Sequence, residues 1–312
     1  MLGDLAKRIL DGDTRAVAQL ITLIENKDER ARSVLRSLYP HTGRAHVIGV
    51  TGSAGSGKST LIARLTAAIR RRKKGVGILV VDPTSPFSGG ALLGDRLRMR
   101  DHFVDEGVFI RSLATRGALG GLSSCIREAV NLLDAMGKEI VFVETIGIGQ
   151  NQVEISTIAR TTIVVLNPWA GDDIQGMKAG LLEIADILVV NKADVAGVDQ
   201  TFHQLKALFE NSGLPLLKTS ALDGEGIDLL IEEMEKHRAR LLASGDHRTR
   251  DRNFSRSQLL AILQERMMER ALEKIGQDSL EEFVEKIVER HLDPYTAAEQ
   301  ILKETGMAKR TE

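Results

Sequence analysis

Eight residues constrain this 312-residue chain more than any others: Gly52-Ser53-Ala54-Gly55-Ser56-Gly57-Lys58-Ser59, a full match to G-x-x-x-x-G-K-[ST]. The flanks set it apart from a chance glycine-rich turn. Residues 47–51 form an apolar, β-branched run that predicts a strand, and residues 59–69 predict a helix. Strand, glycine loop and helix in that order aim successive backbone N–H groups, and the positive end of a helix dipole, at an anion. The candidate phosphate cradle is therefore Gly52, Ser53, Ala54, Gly55, Ser56, Gly57, Lys58, Ser59 and Thr60. Lys58 supplies a point charge for β- and γ-phosphates, and the Ser59 hydroxyl suits Mg²⁺.

The rest of the chain divides around this loop. Residues 1–43 carry apolar positions at helical spacing, broken near Asp11-Gly12-Asp13, and predict two amphipathic helices ending at Tyr39-Pro40. Residues 44–240 alternate short apolar runs with helical segments. The predicted strands are 46–51, 76–81, 108–112, 140–144, 162–166, 187–190 and 214–218, with helices beginning near Lys58, Gly121, Gln175, Asp199 and Gly226. Continuous apolar strands separated by helices predict an α/β fold, a doubly wound and mostly parallel sheet. Residues 241–312 turn helical and charged, with a polar stretch at 243–253 expected to be a linker or exposed corner. The apolar stripe after residue 255, from Leu259 to Val288, is expected either to pack back on the α/β domain or to bury itself against a second copy.

Two further motifs address the ligand. The strand at 187–190 runs into Asn191-Lys192-Ala193-Asp194, the N-K-x-D pattern of GTP-binding proteins. A carboxylate can accept from both guanine N1–H and the exocyclic amine, a donor pair that adenine lacks. The stem of Lys192 can lie over the base. After the next strand, Thr219-Ser220-Ala221-Leu222 resembles the S-A-L/K element that contacts guanine through backbone, with Ser220, Ala221 and Leu222 as the candidate contacts. At 141–147, an apolar strand ends in Glu144-Thr145-Ile146-Gly147, a Walker B position with an acid for the metal's water and a Gly147 N–H for the γ-phosphate. Gln150 could orient water, which makes Lys58, Glu144 and Gln150 the catalytic candidates. Asp82 and Asp95, in the glycine-rich stretch after the phosphate loop, are candidate Mg²⁺ ligands beside Ser59 and Glu144. For each acid the plain alternative is a turn cap or a surface ion pair.

Composition closes off other classes. Lys+Arg 42 against Asp+Glu 43 gives a net charge of −1, which offers no broad footprint for nucleic acid. Cys125 is the single cysteine, so no internal disulfide can form. None of the seven histidines stands at metal-ligand spacing with another His or Cys. No run of about 18 apolar residues exists to span a membrane, and the N-terminus has no signal-like apolar core, so a cytoplasmic location is expected.

Taken together, these residues resemble the cobalamin-associated P-loop GTPases that accompany adenosylcobalamin-dependent acyl-CoA mutases. That family includes the methylmalonic aciduria type A protein and was formerly called arginine/ornithine transport kinases. The resemblance covers about residues 40–240. It rests on Asp82-Pro83-Thr84-Ser85-Pro86-Phe87-Ser88-Gly89-Gly90, Gly94-Asp95-Arg96, residues 109–117, Glu144-Thr145-Ile146-Gly147-Ile148-Gly149-Gln150 and Gly171-Asp172-Asp173-Ile174-Gln175-Gly176-Met177-Lys178. It implies a slow GTPase, with GTP/GDP and Mg²⁺ as ligands, that acts as a G-protein chaperone. Such a chaperone gates adenosylcobalamin loading and protects or reactivates a mutase such as methylmalonyl-CoA mutase. It also implies an extra switch at 171–178 with Asp172 and Lys178 as its polar elements, and a homodimer joined by the C-terminal helices. The chain departs from the family at Trp169, where glycine is usual, and at Asn151. A nickel-insertion GTPase and a protein kinase are the other readings. The missing Cys/His cluster argues against the first, and the guanine signature against an ATP-dependent form of the second.

Overall fold

The computed structural model describes residues 2–82, 99, 102–114, 124–145, 154–168, 183–210 and 212–306. The chain forms two compact units, Met1–Phe254 and Ser255–Glu312. The first is built on seven strands: β1 (His46–Gly52), β2 (Val76–Asp82), β3 (Val108–Ala114), β4 (Ile140–Thr145), β5 (Thr161–Leu166), β6 (Ile187–Asn191) and β7 (Leu216–Thr219). Every neighbouring pair is parallel, in the order β3-β2-β4-β1-β5-β6-β7. All seven predicted strands are present, within two residues at each boundary. Their apolar runs are continuous because both faces are covered: every residue of β1, β4, β5 and β6 is buried.

The described helices are α1 (Leu2–Leu10), α2 (Thr14–Glu25), α3 (Glu29–Leu38), α4 (Lys58–Arg71), α5 (Ser124–Ala135), α6 (Val198–Phe209), α7 (Ile227–Ser244), α8 (Asp246–Ile275), α9 (Gln277–Val288) and α10 (Pro294–Glu304). One sheet face, with Leu79, Val81, Val141 and Val143, packs in one core with residues of α1, α2, α3 and α5. The other, with Ile48, Val50, Ile78, Phe142 and Val165, packs with Leu61 and Leu65 of α4 and Leu230 and Met234 of α7. From β1 the chain passes through α4 to β2 on one side of the sheet, while from β4 it returns to β5 on the other. That reversal makes a crevice outside the carboxyl ends of β1 and β4, the usual ligand position in such sheets.

Two expectations need correcting. The N-terminal region holds three helices where two were expected. A second break falls at residues 26–28, where Lys27 takes φ 54° and the Asp28 carboxylate caps the Arg30 N–H at 2.9 Å. The polar stretch 243–253 is helical apart from Gly245, whose left-handed φ of 79° ends α7 one residue before α8 begins. Its charges find partners within the first unit. Arg250 forks onto Asp186 at 2.7 and 2.8 Å, and Arg160 meets Asp251 at 2.8 Å.

Asp186 ends a buried polar chain at the amino edge of the sheet, opposite the crevice. His46 Nε2 lies 2.7 Å from Thr161 Oγ1, which lies 2.9 Å from His237 Nδ1, and His237 Nε2 lies 3.3 Å from Asp186. Burial would raise the Asp186 carboxyl, but the bonds from Arg250 and His237 hold it below the usual range. Burial, reinforced by the positive charge of Arg238, pushes the His46 imidazole down to about 3. His46 therefore stays neutral when folded and binds a proton when unfolded, so its contribution is complete above pH 6.5 and lost as pH falls toward 3. At up to ~1.4 kcal/mol per pH unit, the loss between pH 6 and pH 4 comes to roughly 2–3 kcal/mol. Urea unfolding across that range should show this slope, and His46→Gln should flatten it. An unchanged slope in the variant overturns the assignment.

In the second unit, Ala271, Phe283 and Ala297 are buried and Lys274 Nζ donates to the Thr305 carbonyl at 2.6 Å. Leu259, Leu263, Met267, Met268, Leu272 and Val288 are exposed. Among the described residues, no helix is long and apolar enough to cross a membrane.

Candidate nucleotide site

Parallel pairing brings the carboxyl ends of β1, β4, β6 and β7 to one edge, so the three motifs meet although they lie far apart in sequence. The phosphate loop begins at Gly52, φ 143°, where a Cβ would collide with the Val165 carbonyl of β5. It ends at Gly57, φ 89°, where a Cβ would collide with the Asn191 amide. Only glycine meets both demands, backbone conformation and close approach.

Lys58 opens α4 and is buried. Its ammonium donates to the carbonyls of Gly52 and Ser53 at 3.1 and 3.0 Å, which holds the charge over the loop. Ser59 Oγ, in the first turn of α4, donates to Glu144 Oε1 near the carboxyl end of β4 at 2.7 Å, both side chains being buried. A hydroxyl that donates its proton to a carboxylate keeps its lone pairs for a cation, and hydroxyl plus carboxylate is the hard-oxygen set that Mg²⁺ takes. The buried hydroxyls of Ser53 and Ser56 have no hydrogen-bond partner among the described residues. Such orphaned donors are costly unless a ligand's oxygens meet them. Both observations fit a Mg²⁺-bound phosphate chain. Thr145 Oγ1 donates to Thr51 Oγ1 at 2.9 Å, bracing the ends of β4 and β1.

On the base side, Asn191 is a buried strut. Its Nδ2 donates to the Ser56 carbonyl at 2.8 Å, and its Oδ1 accepts from Thr219 Oγ1 at 3.0 Å and from the Ala221 N–H at 3.2 Å. It ties the phosphate loop to the loop after β7, and the Ala221 N–H is turned to that tie. Asn191, a candidate guanine-site residue, is thus braced between the two loops through both ends of its amide. The exposed Asp194 is aimed by the buried Ser220, whose hydroxyl is shared between Asp194 Oδ1 and Asp223 Oδ2, each at 2.8 Å. Lys192 takes the left-handed φ of 63°, which turns the chain between Asn191 and Asp194. The side chain of Leu222 is exposed.

Motif reading missed Asp223 and Arg64, an exposed residue of α4 that donates to the Ala221 and Leu222 carbonyls. Backbone acceptors 157 residues away leave no local mark on the sequence around Arg64. Thr60 lies in the first turn of α4. Asp82 closes β2, but its side chain lies outside the described residues, as do Asp95, Gly147, Gln150, Asp172 and Lys178. Among the described residues, no group of three His, Cys, Asp or Glu is placed to hold a metal.

Comparison with known proteins points one way. Residues 17–276 match the family model described as methylmalonyl Co-A mutase-associated GTPase MeaB. A Pyrococcus abyssi protein carrying a provisional GTPase name is 42% identical over 97% of this chain and 97% of its own length. GTPase ArgK of Escherichia coli is 34% identical over 78% of each chain. The mitochondrial methylmalonic aciduria type A homolog of Caenorhabditis briggsae is 38% identical over 61% of this chain and 50% of its own length. Among solved structures, an LAO/AO transport system kinase superposes with TM-score 0.71 at 24% identity, covering 97% of this chain and 96% of that one, which shows a shared fold.

Proposed function

This chain belongs to the methylmalonyl-CoA mutase-associated GTPase family MeaB, and from that premise we propose that it hydrolyses GTP as the G-protein chaperone of an adenosylcobalamin-dependent acyl-CoA mutase. The observation that carries the reading is one sheet edge holding the Lys58 ammonium, the Ser59–Glu144 pair and the Asn191–Ala221 brace together. In hydrolysis, water attacks the γ-phosphorus and the bond to the β-phosphate oxygen breaks, giving GDP and phosphate. Lys58 moves from the loop carbonyls to the β- and γ-oxygens and stabilises the charge spreading there. Ser59 would hold Mg²⁺ directly and Glu144 through water, while Asp82 and Asp95 complete its surroundings. Mg²⁺ supplies Lewis-acid neutralisation of the phosphate charge. The Gly147 N–H would meet the γ-phosphate and Gln150 would position water, while Asp194 would accept from guanine and Lys192 would cover the base.

The finer reading concerns partners. The segment 171–178 would change shape with the nucleotide and touch the mutase through Asp172 and Lys178, gating cofactor loading. The exposed stripe of residues 255–312 would bury itself against a second copy in a cytoplasmic homodimer. The test is GTP turnover with and without the purified mutase. An activator acting in trans raises turnover by about 10³–10⁵. Lys178→Ala should keep intrinsic turnover and lose most of that stimulation. Equal stimulation of both proteins overturns the switch assignment, and no stimulation of either overturns the chaperone reading. Sedimentation of the same samples as monomers would overturn the dimer.

A further inference from the structure

We propose that Arg64 is a positioning residue for guanine, a fork that fixes the base-side loop to the helix that starts at the phosphates. Its Nε donates to the Ala221 carbonyl at 2.8 Å and its Nη2 to the Leu222 carbonyl at 2.5 Å. α4 begins with Lys58 and Ser59, so Arg64 sits one and a half turns beyond the phosphate-facing residues. The loop it grips is the one that aims Asp194, through Ser220 Oγ at 2.8 Å.

Beyond its own backbone bonds, side chains hold the loop. The Ala221 N–H is tied to Asn191, Ser220 lies between Asp194 and Asp223, and the two successive carbonyls beyond are tied to Arg64. Ala221 is anchored in the core, but Leu222 beyond it is 66% exposed, and the fork fixes the carbonyls of both at the point where the chain leaves the core. A guanidinium is suited to this because it is planar and presents paired donors in fixed geometry, whereas a lysine ammonium is a point donor. Arg64 is itself exposed and touches the loop's backbone, so the fold of the core does not depend on it. Its effect should therefore fall on base recognition and leave phosphate chemistry untouched.

The inference rests on Asp194 reading guanine, and the test separates the two. Kd is measured for GTP, GDP and inosine triphosphate, whose base lacks the exocyclic amine, together with turnover at saturating GTP and the melting temperature without nucleotide. The proteins are wild type, Arg64→Ala and Arg64→Lys. Wild type should prefer GTP to inosine triphosphate. In Arg64→Ala, Kd for GTP and GDP should rise together by about 3- to 10-fold, in line with two lost hydrogen bonds to neutral carbonyls. The preference for GTP should shrink by a similar factor, with saturated turnover within about twofold of wild type. Arg64→Lys should fall between the two. Unchanged Kd values, or a fall in melting temperature and saturated turnover without loss of base preference, overturn the proposal. A wild type that binds both nucleotides alike overturns the guanine reading, and the proposal with it.

Discussion

Lys58→Ala should reduce single-turnover GTP hydrolysis by at least about 100-fold and weaken GTP binding by more than tenfold. The ammonium is buried and already held 3.0–3.1 Å from two loop carbonyls, so it is pre-positioned where phosphate charge develops. Removing one such pre-organised donor costs about 10²–10³ in rate, and a charge-assisted contact in binding contributes about 1.5–3 kcal/mol. The substitution also removes two bonds to the loop. Circular dichroism and the melting temperature should accompany the kinetics, to show that the variant is folded. Hydrolysis within tenfold of wild type in a folded variant would remove Lys58 from the mechanism. Lys58→Arg should not restore the rate, because the longer, planar guanidinium cannot place a point charge where the Gly52 and Ser53 carbonyls hold the ammonium.

Asp194→Asn should weaken GTP by about 100-fold or more and admit xanthosine triphosphate. Two charge-assisted bonds to the base are lost, at about 1.5 kcal/mol or more each. The Asn amide can donate to the carbonyl that xanthine carries in place of guanine's amine. Ser220 can still donate to the remaining side-chain oxygen, so the loop should keep its shape. Titration of both nucleotides decides it. GTP affinity equal to wild type would mean that Asp194, exposed in the structure, does not face the base. Loss of GTP affinity without gain of xanthosine triphosphate would mean that it matters for the loop and not for the reading.

The sites of both substitutions are legible in the sequence. The phosphate loop and the seven strands could be read directly, because each is a local property of the chain. A glycine-rich turn between an apolar run and an amphipathic helix encodes its own conformation, and a buried parallel strand must be apolar throughout. Asp194 was equally legible, since a strand followed by Asn-Lys-Ala-Asp is contiguous. The third N-terminal helix was not, because its break at residues 26–28 depends on the Asp28 cap and on a lysine at positive φ. The charged stretch at 243–253 looked like a linker for a related reason. Arg250 and Asp251 have their partners in Asp186 and Arg160, 64 and 91 residues away.

Sequence by itself determined the α/β class, the phosphate loop, the acid at the end of β4 and the guanine motif, since each is written in neighbouring residues. Tertiary structure alone decided that Ser59 meets Glu144 across 85 positions, that Asn191 braces two loops, and that Arg64 holds the carbonyls after Ser220. The reason is physical. Parallel pairing brings strand ends from four parts of the chain to one edge, and the bonds made there depend on distance in space, which the order of residues along the chain does not record.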